Sequence, residues 1–285
     1  SLLRLLRALA SIGVFAEGDG QRFQLTPLAE PLRSDAPRSV RSSLRFLGDP
    51  VLFVPWGQLL HSVRTGGPAF DHVFGTGIYA YLAQHPAAAE VFNAGMSGQP
   101  RHEAVLEAYD FGGARVVVDV GGGNGRLIAA ILSAHPAQRG ILCDLPEVVA
   151  EARQRLEREG LADRCQVVGG SFLDWVPVGG DLYLLSDVLH NWDDDRAVTI
   201  LANCRKAMAE EGRLVIVQQV LPPGHDDVFG RFADLNMLIL LGGRERTADD
   251  FRQLLALAGF TLTRIIGTRV PYSIVEAIPT RATQH

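Results

Sequence analysis

The chain has 285 residues, of which 47% are hydrophobic and 21% charged, and its formal net charge is −5 at pH 7. Acids and bases are interspersed, so the sequence predicts no basic face for nucleic acid and no anionic-membrane partner. The longest apolar run, near Met237 to Leu241, is too short to span a bilayer. Three cysteines without metal-ligand spacing indicate reduced thiols in a cytoplasmic protein.

The amino-terminal segment predicts a helix followed by a β-hairpin. Leucines at helical spacing run from Leu2 to Leu9, and a turn at Gly18-Asp19-Gly20 separates two short strand-like segments. This order is typical of a winged helix, so a winged-helix regulator that binds a small ligand is one hypothesis. Few cations lie here to neutralise phosphate charge, which disfavours DNA binding. The chain begins without methionine inside this helix, which predicts further residues upstream.

Residues 38 to 110 predict helices, broken at Asp49-Pro50, Gly66-Gly67-Pro68 and Gly75-Thr76-Gly77. From Gly113 onward the pattern changes, because short apolar strands alternate with amphipathic helices. We therefore expect two domains. Residues 1–100 form a smaller, mainly helical, winged-helix-like domain, and residues 101–285 form an α/β domain.

The alternation of strands and helices predicts a parallel sheet covered on both faces, as in a doubly wound α/β fold. The predicted strands lie near 115–120, 140–143, 165–168, 181–186 and 213–218. Two later strands, Thr261–Ile266 and Tyr272–Glu276, are separated by a short connection that permits an antiparallel pair. The acidic run Asp193–Asp195 indicates a solvated helix start rather than a metal site, and no metal is predicted.

The segment Val116–Gly125 predicts a strand that ends in Asp119 and opens into a glycine-rich loop. Glycine leaves no Cβ in the way, so the backbone of such a loop approaches a ligand closely. Arg126 replaces the third glycine of the dinucleotide fingerprint, which disfavours a pyrophosphate ligand. Asp144 ends the next strand, at about the separation along the chain from the glycine loop at which a carboxylate binds ribose hydroxyls. Alone, each feature could be a tight turn or a helix cap; together they indicate an adenosine-type ligand.

Four segments occur in the order and spacing of a known family. They are Asp119–Gly125, Cys143-Asp144-Leu145-Pro146, Leu189-His190-Asn191-Trp192 and Gly242-Gly243-Arg244-Glu245-Arg246-Thr247. In these segments the chain resembles the S-adenosylmethionine-dependent O-methyltransferases that act on plant phenolics and bacterial polyketides. The resemblance covers essentially the whole chain. It implies a Rossmann-like methyltransferase sheet, an amino-terminal domain that lacks its first dimerisation helices, and a homodimer in the full-length protein.

Methyl transfer to a phenol needs a base at neutral pH, because a phenol has a pKa near 10 and histidine titrates near neutrality. The resemblance implies that His190 is this base and that two flanking residues, Glu245 and Gln218, orient its imidazole. The family has a second glutamate where this chain has Gln218; an amide still accepts a hydrogen bond from an imidazole N–H but adds no charge. The alternative for Glu245 is a solvated turn charge before a helix capped by Thr247 and Asp250.

The resemblance also implies the contacts of the cofactor, S-adenosylmethionine, and of its product S-adenosylhomocysteine. Gly121 is expected at the methionine end and Asp144 at the ribose. Ser171 stands where many relatives have an aspartate near the adenine amine, and Phe172 is expected to pack against the adenine face. Ser186 takes the position of a lysine in plant relatives, as in bacterial members that use serine near the cofactor.

The acceptor implied by the resemblance is a small aromatic secondary metabolite, and four residues are predicted to contact it. Asn93, Met96, Asp234 and Asn236 are the predicted substrate contacts, with plain helix packing as the alternative for the first two. The substrate would be of the polyketide type. A relative that keeps the cofactor but is redirected to hydroxylation or decarboxylation is the second hypothesis, and Gln218 leaves it open.

Overall fold

The computed structural model describes residues 1–37, 39–97 and 101–280. These residues form two compact units, one of residues 1–59 and 70–97 and the other of residues 60–69 and 101–280. The helices are α1 (Leu2–Ser11), α2 (Arg41–Leu47), α3 (Pro50–Trp56), α4 (Leu59–Thr65), α5 (Ala69–Phe74), α6 (Ile78–Gln84), α7 (Pro86–Ser97), α8 (Arg101–Ala108), α9 (Arg126–Ala134), α10 (Val149–Arg158), α11 (Asp194–Ala207), α12 (Val228–Leu241) and α13 (Ala248–Leu257). The strands are β1 (Phe15–Gly18), β2 (Arg22–Leu25), β3 (Val116–Val120), β4 (Arg139–Asp144), β5 (Cys165–Gly169), β6 (Leu182–Ser186), β7 (Arg213–Gln218), β8 (Val220–Leu221), β9 (Arg246–Thr247), β10 (Phe260–Gly267) and β11 (Ser273–Pro279).

The first unit contains the predicted helix and hairpin, followed by helices. Strands β1 and β2 pair antiparallel, and Gly20 between them has a φ of 69° that favours glycine. Helix α7 packs closely on α2 at Gly95. A Cβ at this position would lie only 2.5 Å from the Cβ of Phe46. Glycine weakens a helix interior, so its presence here is explained by this close approach.

The second unit is built on a seven-stranded sheet in the order β10-β11-β7-β6-β3-β4-β5. Strands β3 to β7 are parallel, whereas β10 and β11 pair antiparallel, and β11 also pairs antiparallel with β7. The prediction of a doubly wound sheet with an antiparallel pair at its end is therefore confirmed. The short strands β8 and β9 form a separate parallel pair.

Both faces of the sheet are buried, which explains the continuous apolar runs in its strands. Val118 belongs to a cluster with residues of α11 and α13, among them Leu201 and Phe251. Its neighbour Val117 points to the opposite cluster, which includes Ile128 of α9. None of the helices in the described part of the chain is long and apolar enough to cross a membrane.

Strand β3 lies at the centre of the sheet, between β4 and β6. The chain moves from β3 outward in one direction through β4 and β5, and then returns to the other side of β3 with β6. Ligands of doubly wound sheets bind beyond the carboxyl ends of the strands at such a reversal. The loops after β3, β4 and β6 therefore form the candidate site.

Candidate active site

A short 3₁₀ turn, Leu189–Asn191, follows β6 and carries His190 at the carboxyl edge of the sheet. Asp187 precedes the turn with a φ of 55°, and its carbonyl accepts a hydrogen bond from the side chain of Asn191 at 3.1 Å. Helix α11 begins directly after the turn, where the Asp193 side chain accepts a backbone N–H of the first helical turn. The turn is thus held between a sheet strand and a capped helix.

The imidazole of His190 is hydrogen-bonded to Glu245. His190 Nδ1 lies 2.8 Å from Glu245 Oε1, and the two side chains are 13% and 4% exposed. Glu245 is therefore a buried partner of the histidine and not a solvated turn charge. A carboxylate on Nδ1 fixes the orientation of the ring and stabilises its protonated form.

Gln218, at the end of β7, is fully buried and contacts both members of this pair. Its Oε1 accepts a hydrogen bond from the backbone N–H of His190 at 3.1 Å. Its Nε2 donates to Glu245 Oε2 at 3.2 Å. We expected the Gln218 amide to accept a hydrogen bond from the imidazole of His190. It accepts instead from the backbone N–H of His190, because Glu245 occupies Nδ1. A single amide supplies the donor and the acceptor that this buried position requires.

Asp234 lies on α12 and is hydrogen-bonded to the backbone of Glu245. Its Oδ1 accepts a hydrogen bond from the backbone N–H of Glu245 at 2.8 Å. Partial burial raises the pKa of the Asp234 carboxyl, although the Glu245 N–H acts in the opposite direction. Asn236 lies on the same helix. Their contact with the substrate stays a prediction, and Asp234 is in addition part of the support of Glu245.

The glycine-rich loop after β3 is tied to Asp144 at the end of β4. Gly121 and Gly123 have φ values of 72° and 56°, in the region that favours glycine. The N–H of Gly123 donates to Asp144 Oδ2 at 2.8 Å, and the N–H of Leu145 donates to Oδ1 at 2.7 Å. Burial raises the pKa of the Asp144 carboxyl, against these two hydrogen bonds. Loop and carboxylate are thus brought together as predicted for an adenosine-type ligand.

Comparison with known proteins identifies this arrangement. Residues 56–261 match the O-methyltransferase domain family. The chain belongs to this family. The phenazine O-methyltransferase PhzM of Lysobacter antibioticus is 48% identical over 280 residues, which cover 98% of this chain and 82% of that protein. The protein is therefore an O-methyltransferase that uses S-adenosylmethionine, and not a winged-helix regulator.

Two further similar proteins bear on the chemistry. A solved structure of the O-methyltransferase NcsB1 from neocarzinostatin biosynthesis contains S-adenosyl-L-homocysteine and 1,4-dihydroxy-2-naphthoic acid; it is 35% identical, with a TM-score of 0.84, over 98% of this chain and 84% of that chain. Aclacinomycin 10-hydroxylase RdmB of Streptomyces purpurascens is 39% identical over 269 residues, which cover 92% of this chain and 72% of that protein. Similarity to the methyltransferase therefore extends to a protein named for another reaction.

The loop of the methyltransferase fits its cofactor in shape and charge. A Cβ at Gly121 would lie 2.7 Å from Val188 Cγ2 and 3.3 Å from Phe172 Cε1, so only glycine leaves this space open. The Asp119 carboxyl is 1% exposed, and neither oxygen has a hydrogen-bond partner among the described residues. Burial, with a smaller contribution from the Asp144 charge, raises the pKa of Asp119 to about 7. A ligand with sulfonium and ammonium charges, such as S-adenosylmethionine, suits an unpaired buried carboxyl.

The other predicted cofactor residues lie around the same edge of the sheet. Phe172 packs edge-to-face on Trp192, with ring centroids 6.1 Å apart. Ser171 precedes Phe172, and its Oγ accepts the N–H of Leu173 at 3.3 Å. Ser186 is the last residue of β6, the strand next to β3. Their contacts with the cofactor stay predictions.

The predicted acceptor residues Asn93 and Met96 lie on α7 in the first unit, and both are exposed within that unit's surface. The preceding Phe92 packs edge-to-face on Phe46, with ring centroids 5.2 Å apart. Helix packing therefore explains Phe92. The contact of Asn93 and Met96 with the acceptor stays a prediction.

Two residues of the methyltransferase acquired a role only in the structure. Asp119 appeared in the sequence as the end of a strand, and Arg246 appeared as one letter of a motif. Both side chains are buried. A charged residue inside an apolar strand or between two motif residues is the signal that could have drawn attention to them.

Proposed function

We propose that the enzyme transfers the methyl group of S-adenosylmethionine to a phenolic hydroxyl of an aromatic secondary metabolite, with His190 as general base. The buried hydrogen bond between His190 Nδ1 and Glu245 Oε1, at 2.8 Å, carries this proposal. When Nδ1–H donates to the carboxylate, the basic lone pair of the neutral ring lies on Nε2. This nitrogen is the atom that would receive the phenolic proton.

The neighbouring residues would support the proton transfer. Glu245 stabilises the positive charge that forms on the imidazole, and the Gln218 amide holds the second oxygen of Glu245. The bound cofactor supplies the electrophilic methyl group. Gly121 would leave room for its methionine end, Asp144 would accept hydrogen bonds from its ribose hydroxyls, and the Asp119 carboxylate would favour its positive charge from beneath the loop.

The acceptor class rests on the similar proteins, which are named for phenazine and naphthoate substrates. Phenolic hydroxyls on fused aromatic rings are the shared chemistry. The predicted contacts Asn93, Met96, Asp234 and Asn236 would bind such a ring system. The homodimer of the full-length protein and its cytoplasmic location remain part of this proposal.

The test compares the parent with His190→Gln on hydroxylated phenazine, naphthoate and benzoate acceptors, with products analysed by mass spectrometry. Loss of a general base should lower kcat by about 10²–10⁴-fold. Calorimetric titration with S-adenosylhomocysteine should give parental affinity for His190→Gln and weaker binding for Asp144→Ala. His135→Gln is the matched control, because His135 lies at the carboxyl end of α9.

Two results would overturn the proposal. Parental kcat in a folded His190→Gln would remove the base assignment. A product heavier by one oxygen atom, without methyl gain, would instead place the enzyme with the hydroxylase RdmB. Gln218 favours testing for this second reaction, because it replaces the family's second glutamate with a neutral amide.

A further inference from the structure

We infer that Arg246 is a positioning residue, which holds the turn that carries His190 in register with Glu245; this inference rests on the proposed role of His190 as base. The Arg246 side chain is 0% exposed, although arginine is rarely buried completely. It follows Glu245 directly in the chain. Its guanidinium reaches back to the turn on which His190 lies.

The guanidinium binds the backbone on both sides of His190. Arg246 Nη1 donates to the carbonyl of Leu189 at 2.8 Å. Arg246 Nη2 donates to the carbonyl of Trp192 at 3.0 Å. These two carbonyls enclose the turn, so the planar guanidinium fixes the path of the backbone that aims the imidazole.

An ion pair neutralises the buried charge of this guanidinium. Asp194, in the first turn of α11, accepts from Arg246 Nη2 at 2.7 Å and from Nε at 3.1 Å. Burial lowers the pKa of the guanidinium, and the Asp194 carboxylate opposes this effect. Arg244 completes the connection, because its backbone N–H donates to the carbonyl of His190 at 2.9 Å. Turn, helix start and motif are thereby linked.

Gly243 gives an independent sign that the two segments are locked together. A Cβ at this position would overlap the carbonyl oxygen of His190, so only glycine allows this approach. On the other side of Glu245, strand β9 pairs with β8, and Arg246 lies opposite Val220. The segment that carries Glu245 is therefore fixed at both ends.

This arrangement affects the rate more than the binding of the cofactor. A base must lie within tenths of an ångström of its productive position, and a misplacement of about 1 Å can cost about 100-fold in rate. The described contacts of Arg246 reach the turn and α11, whereas the glycine loop and Asp144 are held by other hydrogen bonds. Lysine cannot replace the fork, because its single ammonium cannot reach both carbonyls and Asp194 together.

The experiment measures kcat, the KM of the acceptor, the Kd of S-adenosylhomocysteine and the Tm for Arg246→Lys and Arg246→Ala. Arg164→Lys is the matched control, since Arg164 also binds backbone carbonyls, those of Leu132 and Pro136, near the carboxyl end of α9. We expect kcat to fall by about 10–100-fold in the Arg246 variants, with Kd changed by less than about twofold. Arg164→Lys should lose Tm and keep kcat. Guanidinium ion at sub-denaturing concentration should partly restore kcat in Arg246→Ala and have no such effect on Arg164→Ala.

The double variant His190→Gln/Arg246→Lys tests whether Arg246 acts through His190. If it does, adding Arg246→Lys to His190→Gln lowers kcat no further. Additive losses, parental kcat in a folded Arg246→Lys, or an equal kcat loss in Arg164→Lys at equal loss of Tm would overturn the inference. Parental kcat in His190→Gln would overturn the base assignment itself, whereas an inactive His190→Gln beside a fully active Arg246→Lys would overturn only the positioning role.

Discussion

Replacing Asp119 with asparagine should stabilise the cofactor-free enzyme, and the gain should grow with pH. The Asp119 carboxyl is buried without a hydrogen-bond partner among the described residues, and its pKa is raised from 3.8 to about 7. The folded state therefore favours the protonated acid. The free energy of unfolding falls as the pH rises above the ordinary aspartate pKa, because Asp119 ionises freely in the unfolded chain but not in the folded one. The fall levels off above the folded-state pKa.

The size of the effect follows from these two pKa values. One pKa unit corresponds to about 1.4 kcal/mol, so the raised pKa of Asp119 costs the folded state about 2 kcal/mol at pH 5 and about 4 kcal/mol at pH 8. Asparagine does not titrate. The stability of Asp119→Asn relative to the parent should therefore increase by about 2 to 3 kcal/mol between pH 5 and pH 8.

Urea unfolding of both proteins at pH 5, 6, 7 and 8 measures this difference. Asp181→Asn is the control, because Asp181 accepts backbone N–H groups from Arg115 and Val116 at 2.9 and 3.0 Å. Although burial opposes them, these bonds and the Arg115 side chain lower the pKa of Asp181. Its contribution is complete above the ordinary pKa, so the Asp181→Asn difference should stay flat from pH 5 to pH 8. A flat or falling difference for Asp119→Asn would refute the reasoning. Saturating S-adenosylmethionine should reduce the Asp119 effect, since its cations would pair with the carboxylate.

Two further substitutions probe the loop and the base. Gly121→Ala should lower stability by about 1–3 kcal/mol and weaken S-adenosylhomocysteine binding, since its Cβ would lie 2.7 Å from Val188 Cγ2; thermal unfolding and calorimetry measure both. Gln218→Glu should lose stability on the order of 3 kcal/mol at pH 8 and less at pH 5. The Gln218 amide nitrogen lies 3.2 Å from Glu245 Oε2, and a carboxylate in its place would repel the Glu245 carboxylate. Urea unfolding at the two pH values measures this loss.

Each of these substitutions has a matched control in the chain. Gly123 also has a positive φ, but nothing lies within 4 Å of its Cβ position, so Gly123→Ala isolates backbone strain from the clash at Gly121. Gln218→Met removes the same hydrogen bonds without adding charge, so its cost should not change with pH. Equal effects of the two alanine variants, or a pH-independent loss in Gln218→Glu, would contradict the predictions.

The local features of the site could be predicted because short stretches of sequence determine them. The Val116–Val120 strand and its glycine loop follow from an apolar run and residues that tolerate positive φ. The capping box of Thr247 and Asp250 follows from two residues three apart, and it is present at the start of α13. The alternation of strands and helices after Gly113 predicted the doubly wound sheet for the same reason.

The contacts that orient the base could not be predicted in this way. His190 and Glu245 are 55 positions apart, and Gln218 lies 27 positions from Glu245, so their hydrogen bonds exist only after β6, β7 and the motif before α13 have packed together. A motif places Glu245 near the histidine, but it does not say which atom of Gln218 accepts which N–H. That choice depends on which partner occupies Nδ1.

The sequence by itself therefore determined the elements, the glycine loop and the position of Asp144, since spacing along the chain encodes each of them, and the family resemblance of its motifs pointed to His190 as the candidate base. Only the tertiary structure decided the burial of Glu245, the hydrogen bonds of Gln218, the lack of a hydrogen-bond partner for Asp119 among the described residues, and the hydrogen bonds of Arg246 to the His190 turn. The physical reason is that burial and hydrogen-bond geometry depend on side chains from distant segments competing for the same few donors and acceptors.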